Sequence, residues 1–179
     1  AALEQGWSPQ AEAVEAGPDE WGVMRAGCVN DGVFRESDNK KLPDDLEPQR
    51  HYEIRAGDLL MSRASGSLEK IGSAAVVPHG VRRHLLICDK VYRLTPTEGW
   101  ESSFIAPMLH SHVNREAIRL GVSGAEGMAN NLPSGVVRGL RMPNLPHKKQ
   151  SRSVRTIEEL NSETRSAIAA LTGSARLLT

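Results

Sequence analysis

Arg55-Ala56-Gly57-Asp58-Leu59-Leu60-Met61-Ser62-Arg63-Ala64 is the stretch on which the fold turns. Gly57-Asp58 is turn chemistry, because glycine tolerates left-handed backbone and aspartate hydrogen-bonds its own neighbourhood. The apolar run that follows is strand-sized, and Ser62-Arg63 marks a polar exit. Working outward, similar short β-type runs recur between turn signals. They are Trp21–Met24, His51–Arg55, Ile71–Val77, Leu85–Cys88 and Lys90–Leu94. In the last of these Val91 and Arg93 alternate with Tyr92 and Leu94, a half-buried pattern, and the whole gives about five strands before residue 96.

The middle of the chain changes period. From Ser102 to Leu120, Phe104, Ile105, Met108, Leu109, Val113, Ile118 and Leu120 approach helical spacing, with Ser102 or Ser103 as the expected cap. Pro107 is expected near the first turn. Gly121 to Pro133 reads as a loop containing Gly124, Gly127, Asn130 and Asn131, and Val136 to Met142 as a last strand stopped by Pro143. From Pro146 a long helix is expected, frayed or ended by Gly173. Val154, Ile157, Asn161, Ile168 and Leu171 fall on a heptad register, which also includes Thr164, so this face suits a partner helix. The fold class is therefore α/β (α+β): a compact domain of mixed β-sheet and short helices over residues 1–145, then a projecting helix over 146–179.

Composition narrows the classes. The chain has 179 residues with 22 Lys and Arg against 22 Asp and Glu, so its formal net charge is +0. No apolar run approaches the roughly 20 residues that span a bilayer, and a soluble protein without membrane contact is expected. Cys28 and Cys88 alone suit a reducing cytoplasm rather than a disulfide framework. Neutral total charge argues against nucleic-acid binding, but the charge is unevenly spread. Residues 1–20 carry five acids and no Lys or Arg, whereas Gly127 to Ile157 holds Arg138, Arg141, Lys148, Lys149, Arg152 and Arg155 with no Asp or Glu.

Catalytic and metal motifs are missing. There is no P-loop, no G-x-G-x-x-G after a strand and no Gly-x-Ser-x-Gly elbow. Asp58, Glu69 and Lys70 lack the Glu-x-Lys spacing of a nuclease. His84 and Cys88 on one strand would stand about 13 Å apart, too far for a nucleophile and its base. His110 and His112 diverge on a helix, and the cysteines have no paired spacing, so no metal site is expected. We expect no catalytic residues and no cofactor on this chain.

The segments suited to reading DNA are polar loops. Ser62, Arg63, Ser65 and Lys70 lie on a loop leaving an apolar strand. Arg63 suits a guanine edge or a phosphate, and equally an internal ion pair; Ser62 and Ser65 suit phosphate. Arg82 and Arg83 form a short basic step. Asn130 and Asn131 suit an adenine edge or a turn, and Arg138 and Lys148 belong to the basic segment.

The order of segments resembles the target recognition domain of the DNA specificity subunit of type I restriction–modification systems. Gly6-Trp7-Ser8-Pro9, Glu20-Trp21-Gly22-Val23-Met24 and Asn39-Lys40-Lys41-Leu42-Pro43 resemble that family's opening, and Arg55 to Ala64 resembles its Gly-Asp-Ile/Leu-Leu-x-Ser-Arg strand. Ile71–Val77, Asp89–Leu94, Gly127-x-x-Asn130-Asn131-Leu132 and Leu140-Arg141-Met142-Pro143-x-Leu145-Pro146-x-x-x-Gln150 follow in order. The resemblance implies a non-catalytic, cytoplasmic subunit that binds one half of a bipartite target in double-stranded DNA. Its helix would set the spacing between halves and dock modification subunits, which methylate adenine with S-adenosylmethionine. A separate restriction subunit would carry the motor and nuclease. Family subunits usually hold two such domains, so one domain implies either a half-size subunit that forms a homodimer or an excised piece. Lys149 stands where an acidic residue is customary before Gln150. The competing reading is a protein–protein adaptor acting through the heptad-like helix alone.

Overall fold

The computed structural model describes residues 1–123 and 130–176, with the side chains of 165 and 171–176 left out. Gly124 and Gly127 therefore lie outside the described residues. The chain runs β1 (Ala2–Gln5), β2 (Gly22–Met24), β3 (Asn39–Lys41), β4 (Leu59–Ser62), β5 (Ala64–Ser65), β6 (Ala74–Val76), β7 (Leu85–Leu86) and β8 (Val91–Thr95). It continues with α1 (Ser102–Leu109), α2 (His112–Gly121), β9 (Asn130–Asn131), α3 (Ser134–Arg138) and α4 (His147–Arg176). Short 3-10 turns occupy Asn30–Gly32 and Arg50–Tyr52.

The Arg55–Ala64 stretch sits at the centre. Gly57 takes φ +86, the conformation that its lack of a Cβ permits. Asp58 Oδ2 accepts the Arg55 backbone N–H at 3.0 Å and lies 3.0 Å from Arg93 Nε, so one carboxylate closes the turn and pairs an inner-strand cation. β4 then joins a four-stranded antiparallel sheet in the order β1-β8-β4-β6. Its pleat sends Leu60 to one side, into a core with Ala75, Val91, Leu85, Leu86 and Val23. Leu59 and Met61 go to the other, into a core with Ala74, Tyr92, Leu94, Leu109 and Ile118. The sheet is thus a wall between two cores, and its apolar runs are continuous because both faces are covered. β8 is accordingly buried on both faces rather than half-buried. Arg93 is its charged exception, with Glu4 Oε2 at 2.8 Å and Glu53 O at 2.6 Å satisfying the guanidinium, and Thr95 at its end is exposed.

A second sheet, β3-β2-β7, pairs β2 with β7 in parallel and with β3 antiparallel, which makes the β-structure mixed. The β-elements are more numerous and shorter than the periodicity suggests. Residues 51–55 form a 3-10 turn and a single bridge from Glu53 to Leu86 instead of a strand.

Further expectations are corrected. The single helix from Ser102 to Leu120 is two helices broken at His110-Ser111. There the His110 ring reaches the Ala74 carbonyl oxygen at 2.9 Å, and Asn114 Nδ2 donates to Met108 O at 2.9 Å. Glu101 is the residue before α1 and makes no side-chain cap, and Pro107 falls in its last turn rather than its first. Val136–Met142 is no strand. Pro133 starts the short helix α3 and Val137 is buried in the second core, so burial on a helical turn overrides the β-branched propensity of the valine pair. The C-terminal helix matches expectation but passes through Gly173, spanning about 45 Å at 1.5 Å per residue. Among the described residues no helix is long and apolar enough to cross a membrane.

Candidate nucleic-acid interface

The two loop segments singled out from sequence are neighbours. β5 pairs with β9, with Ala64 opposite Asn131 and Ser65 opposite Asn130, so the 62–70 loop and the Asn130-Asn131 pair form one ribbon. Leu132 N–H donates to Arg63 O at 2.8 Å and extends the ribbon into the core.

Within this ribbon the polar side chains divide. Ser62 is fully buried and its Oγ has no partner among the described residues, so it is not placed to donate to a phosphate. Arg63 is half-buried: Nε donates to Tyr92 Oη at 3.2 Å and Nη1 to Asp89 O at 3.3 Å, with the guanidinium 5.8 Å from the Tyr92 ring centroid. Tyr92 Oη in turn donates to Leu132 O at 3.1 Å. Of the roles open to Arg63 the structure shows an internal one, made of hydrogen bonds and ring contact rather than an ion pair. Nη2 is its one nitrogen without a partner among the described residues. Ser65 Oγ accepts the Ser67 N–H at 3.1 Å, whereas Lys70 is exposed.

Arg115 was not singled out from sequence, yet it holds this loop. From α2 its Nη1 donates to Ile71 O at 2.6 Å, and Nη2 donates to Leu68 O and Glu69 O, both at 3.1 Å. Burial lowers its pKa from the usual arginine value. Arg119 pairs with Glu69 at 2.9 Å. An arginine on an amphipathic helix reads as solvent-facing, and only the fold reveals that it collects the carbonyls of a distant loop.

Arg82 and Arg83 part company. Arg82 Nη1 donates to Glu20 O at 3.0 Å and Nη2 to Ala16 O at 3.4 Å, so its charge is spent on the segment before β2. Arg83 is exposed. The next residue, His84, takes φ +68, with its N–H donating to Glu53 Oε1 at 2.9 Å and its ring 4.5 Å from that of Trp21. Cys88 is buried, and burial pushes its thiol up to about 11, so the thiolate needed for nucleophilic chemistry is disfavoured. Burial raises Cys28 likewise. Among the described residues no group of His, Cys, Asp and Glu is arranged to hold a metal ion.

Arg138 and Lys148 are exposed. Between them the chain is fastened by two buried amides that sequence reading did not assign a role. Asn114 Nδ2 donates to Arg141 O and Oδ1 accepts the Arg141 N–H, each at 2.8 Å. Gln150, 1% exposed, accepts the Glu101 N–H at 3.1 Å and donates to Gly99 O at 2.9 Å and Leu145 O at 2.8 Å. Glu101 also accepts from Ser151 Oγ and lies 3.0 Å from His147 Nε2.

The helix face is only partly free. Val154, Ile157 and Asn161 line a cleft of about 410 Å³ against Ala74–Val76, Ala106 and His110, with Val154 and Ile157 half-buried. Asn161 and Ile168 are exposed, and the Leu171 side chain lies outside the described residues.

No protein-family model matches the chain. It is 30% identical over 160 residues to the type I restriction enzyme EcoEI specificity subunit of Escherichia coli, covering 88% of this chain and 26% of that one. It is 29% identical over 151 residues to the EcoKI specificity subunit of Escherichia coli strain K12, covering 80% and 32%. Among solved structures, the HsdS subunit of Thermoanaerobacter tengcongensis has a TM-score of 0.62 at 15% identity, over 93% of this chain and 43% of that one. A chain from a structure of type I R-M complex assembly and conformational transition has a TM-score of 0.61 at 17% identity, over 92% and 37%. The chain thus spans about a third or less of the length of the curated relatives it matches. In sequence it is similar to part of two type I restriction enzyme specificity subunits, and in fold to part of an HsdS subunit.

Proposed function

We propose that this chain is a non-catalytic reader of double-stranded DNA that binds one half of a bipartite target. The observation that carries the reading is the β5–β9 ribbon, which sets the exposed Lys70 loop beside Asn130 and Asn131 on a base stapled by Arg115 and by the Arg63–Tyr92 pair. Base readout needs a few side chains held in fixed register, while phosphate contacts set orientation. Lys70, Asn130 and Asn131 are the base-side candidates, with Arg83, Arg138 and Lys148 on phosphates. Ser62, Ser65 and Arg82 support the fold. Arg63 retains one nitrogen for DNA.

The exposed part of α4, with Asn161 and Ile168 and the heptad register that Leu171 continues in the sequence, docks a modification subunit or a second copy of the chain, and a restriction subunit joins that complex. S-adenosylmethionine belongs to the modification subunit. The adaptor reading draws no support from the ribbon, which a helix-only adaptor would not need.

The test is a genome-wide map of N6-methyladenine in the source cell with the gene intact and deleted. Loss of one bipartite motif is expected, and a palindromic motif with a fixed spacer would identify two identical subunits as the reader. An unchanged methylome in a cell that expresses the protein overturns the reading.

A further inference from the structure

The start of α4 carries an arrangement of which the DNA reading above uses only Lys148. Lys148, Lys149, Arg152 and Arg155 are all exposed, and none has a side-chain partner among the described residues. At 100° per residue, Lys148, Arg152 and Arg155 lie within about 60° of one another around the helix. Gln150, Val154 and Ile157, which face the domain, occupy the opposite side. The stripe has a fixed bearing, because the three Gln150 hydrogen bonds prevent the helix from rolling.

Two features make the stripe electrostatically incomplete. No acidic residue lies in the first turn of α4, so these cations face the positive end of the helix dipole as well as one another. The nearby carboxylate of Glu101 is engaged by His147 and Ser151. The basic face is also short. Glu158, Glu159 and Glu163 follow directly, so the helix turns from basic to acidic within one turn of Arg155.

Resting on the DNA-reading proposal above, we propose that Lys148, Arg152 and Arg155 form a phosphate rail that grips the duplex backbone where it crosses the start of α4. The rail is about 10 Å long at 1.5 Å per residue, so its three cations can meet neighbouring phosphates where the duplex backbone crosses the helix. Guanidinium forks at two of its three positions suit phosphate oxygens. The acids beyond Arg155 repel a duplex running along the helix, so DNA crosses it near the base. Since the rail faces away from the domain-anchored side, its phosphates flank the half-target rather than lie within it, and its contribution is independent of sequence.

The test uses the full chain and a random-sequence duplex of about 30 base pairs, a length of several helical turns at 3.4 Å per step. Affinity is followed by fluorescence anisotropy across a salt series, with unfolding curves in parallel. The combined variant Lys148→Gln, Arg152→Gln, Arg155→Gln is expected to lower the slope of log affinity against log salt by about 3, close to one per lost phosphate contact. The variant Arg152→Lys, Arg155→Lys should retain most of the slope, and both should unfold as the parent does. A parent that binds with a steep salt dependence shared by the glutamine variant overturns the rail alone and leaves base reading standing, with the stripe then free for an acidic protein surface. A parent with no salt-dependent duplex affinity overturns both.

Discussion

The segments around Arg63 and around Gln150 look alike in sequence and are opposites in space. Each is a short polar run with a basic residue, Ser62-Arg63 at the end of a strand and Lys148-Lys149-Gln150 at the start of a helix. In the first the charge turns inward, onto Tyr92 and Asp89 O. In the second the charges turn outward and the neutral amide goes in, onto Gly99, Glu101 and Leu145. Residue type alone does not decide which group is buried. The unmet backbone groups nearby decide it: the stretch 99–101 and Leu145 offer one N–H and two carbonyls, and a primary amide can serve all three.

The contrast breaks most visibly at Gln150. Gln150→Leu strands those three backbone groups and should cost about 2–4 kcal/mol in urea unfolding. A loss below about 1 kcal/mol would mean that water replaces the amide and that the clamp is not what fixes the helix. Next in size, Arg63→Ala should cost about 1–2 kcal/mol through its two hydrogen bonds and the Tyr92 ring contact. Measuring duplex affinity on the same variant sharpens the comparison. Stability lost with affinity intact leaves Arg63 internal, whereas affinity lost at unchanged stability returns it to the interface. The smallest effect belongs to Lys149→Ala, expected within about 0.5 kcal/mol of the parent because an exposed side chain without partners leaves nothing unsatisfied.

Much of the architecture is legible in the sequence. The Gly57-Asp58 turn, the apolar strand after it and the long helix after Pro146 all carry local signals that the fold respects. Val136-Val137 misled because β-branched residues report a preference that burial can override. The break at His110 was hidden because its causes, the Ala74 backbone and the Asn114 amide, act across space. The candidate interface was legible in part. The polar loop and the asparagine pair were visible as separate segments, but their union through β5–β9 is a long-range pairing with no local trace. Arg115, Asn114 and Gln150 escaped for the same reason: an Arg, Asn or Gln carries no mark of whether it meets water or a carbonyl.

The clamp at Gln150 also makes α4 a pointer hinged near one end. Some 26 residues lie beyond it, a reach of about 39 Å at 1.5 Å per residue. A tilt of about 10° at the hinge would swing the tip by about 7 Å, or about two base-pair steps of 3.4 Å. If the helix measures the gap between two half-targets, its tolerance for a gap one step too long or too short is set by the stiffness of its base, where the Gln150 hydrogen bonds and the packing of Val154 and Ile157 hold it to the domain.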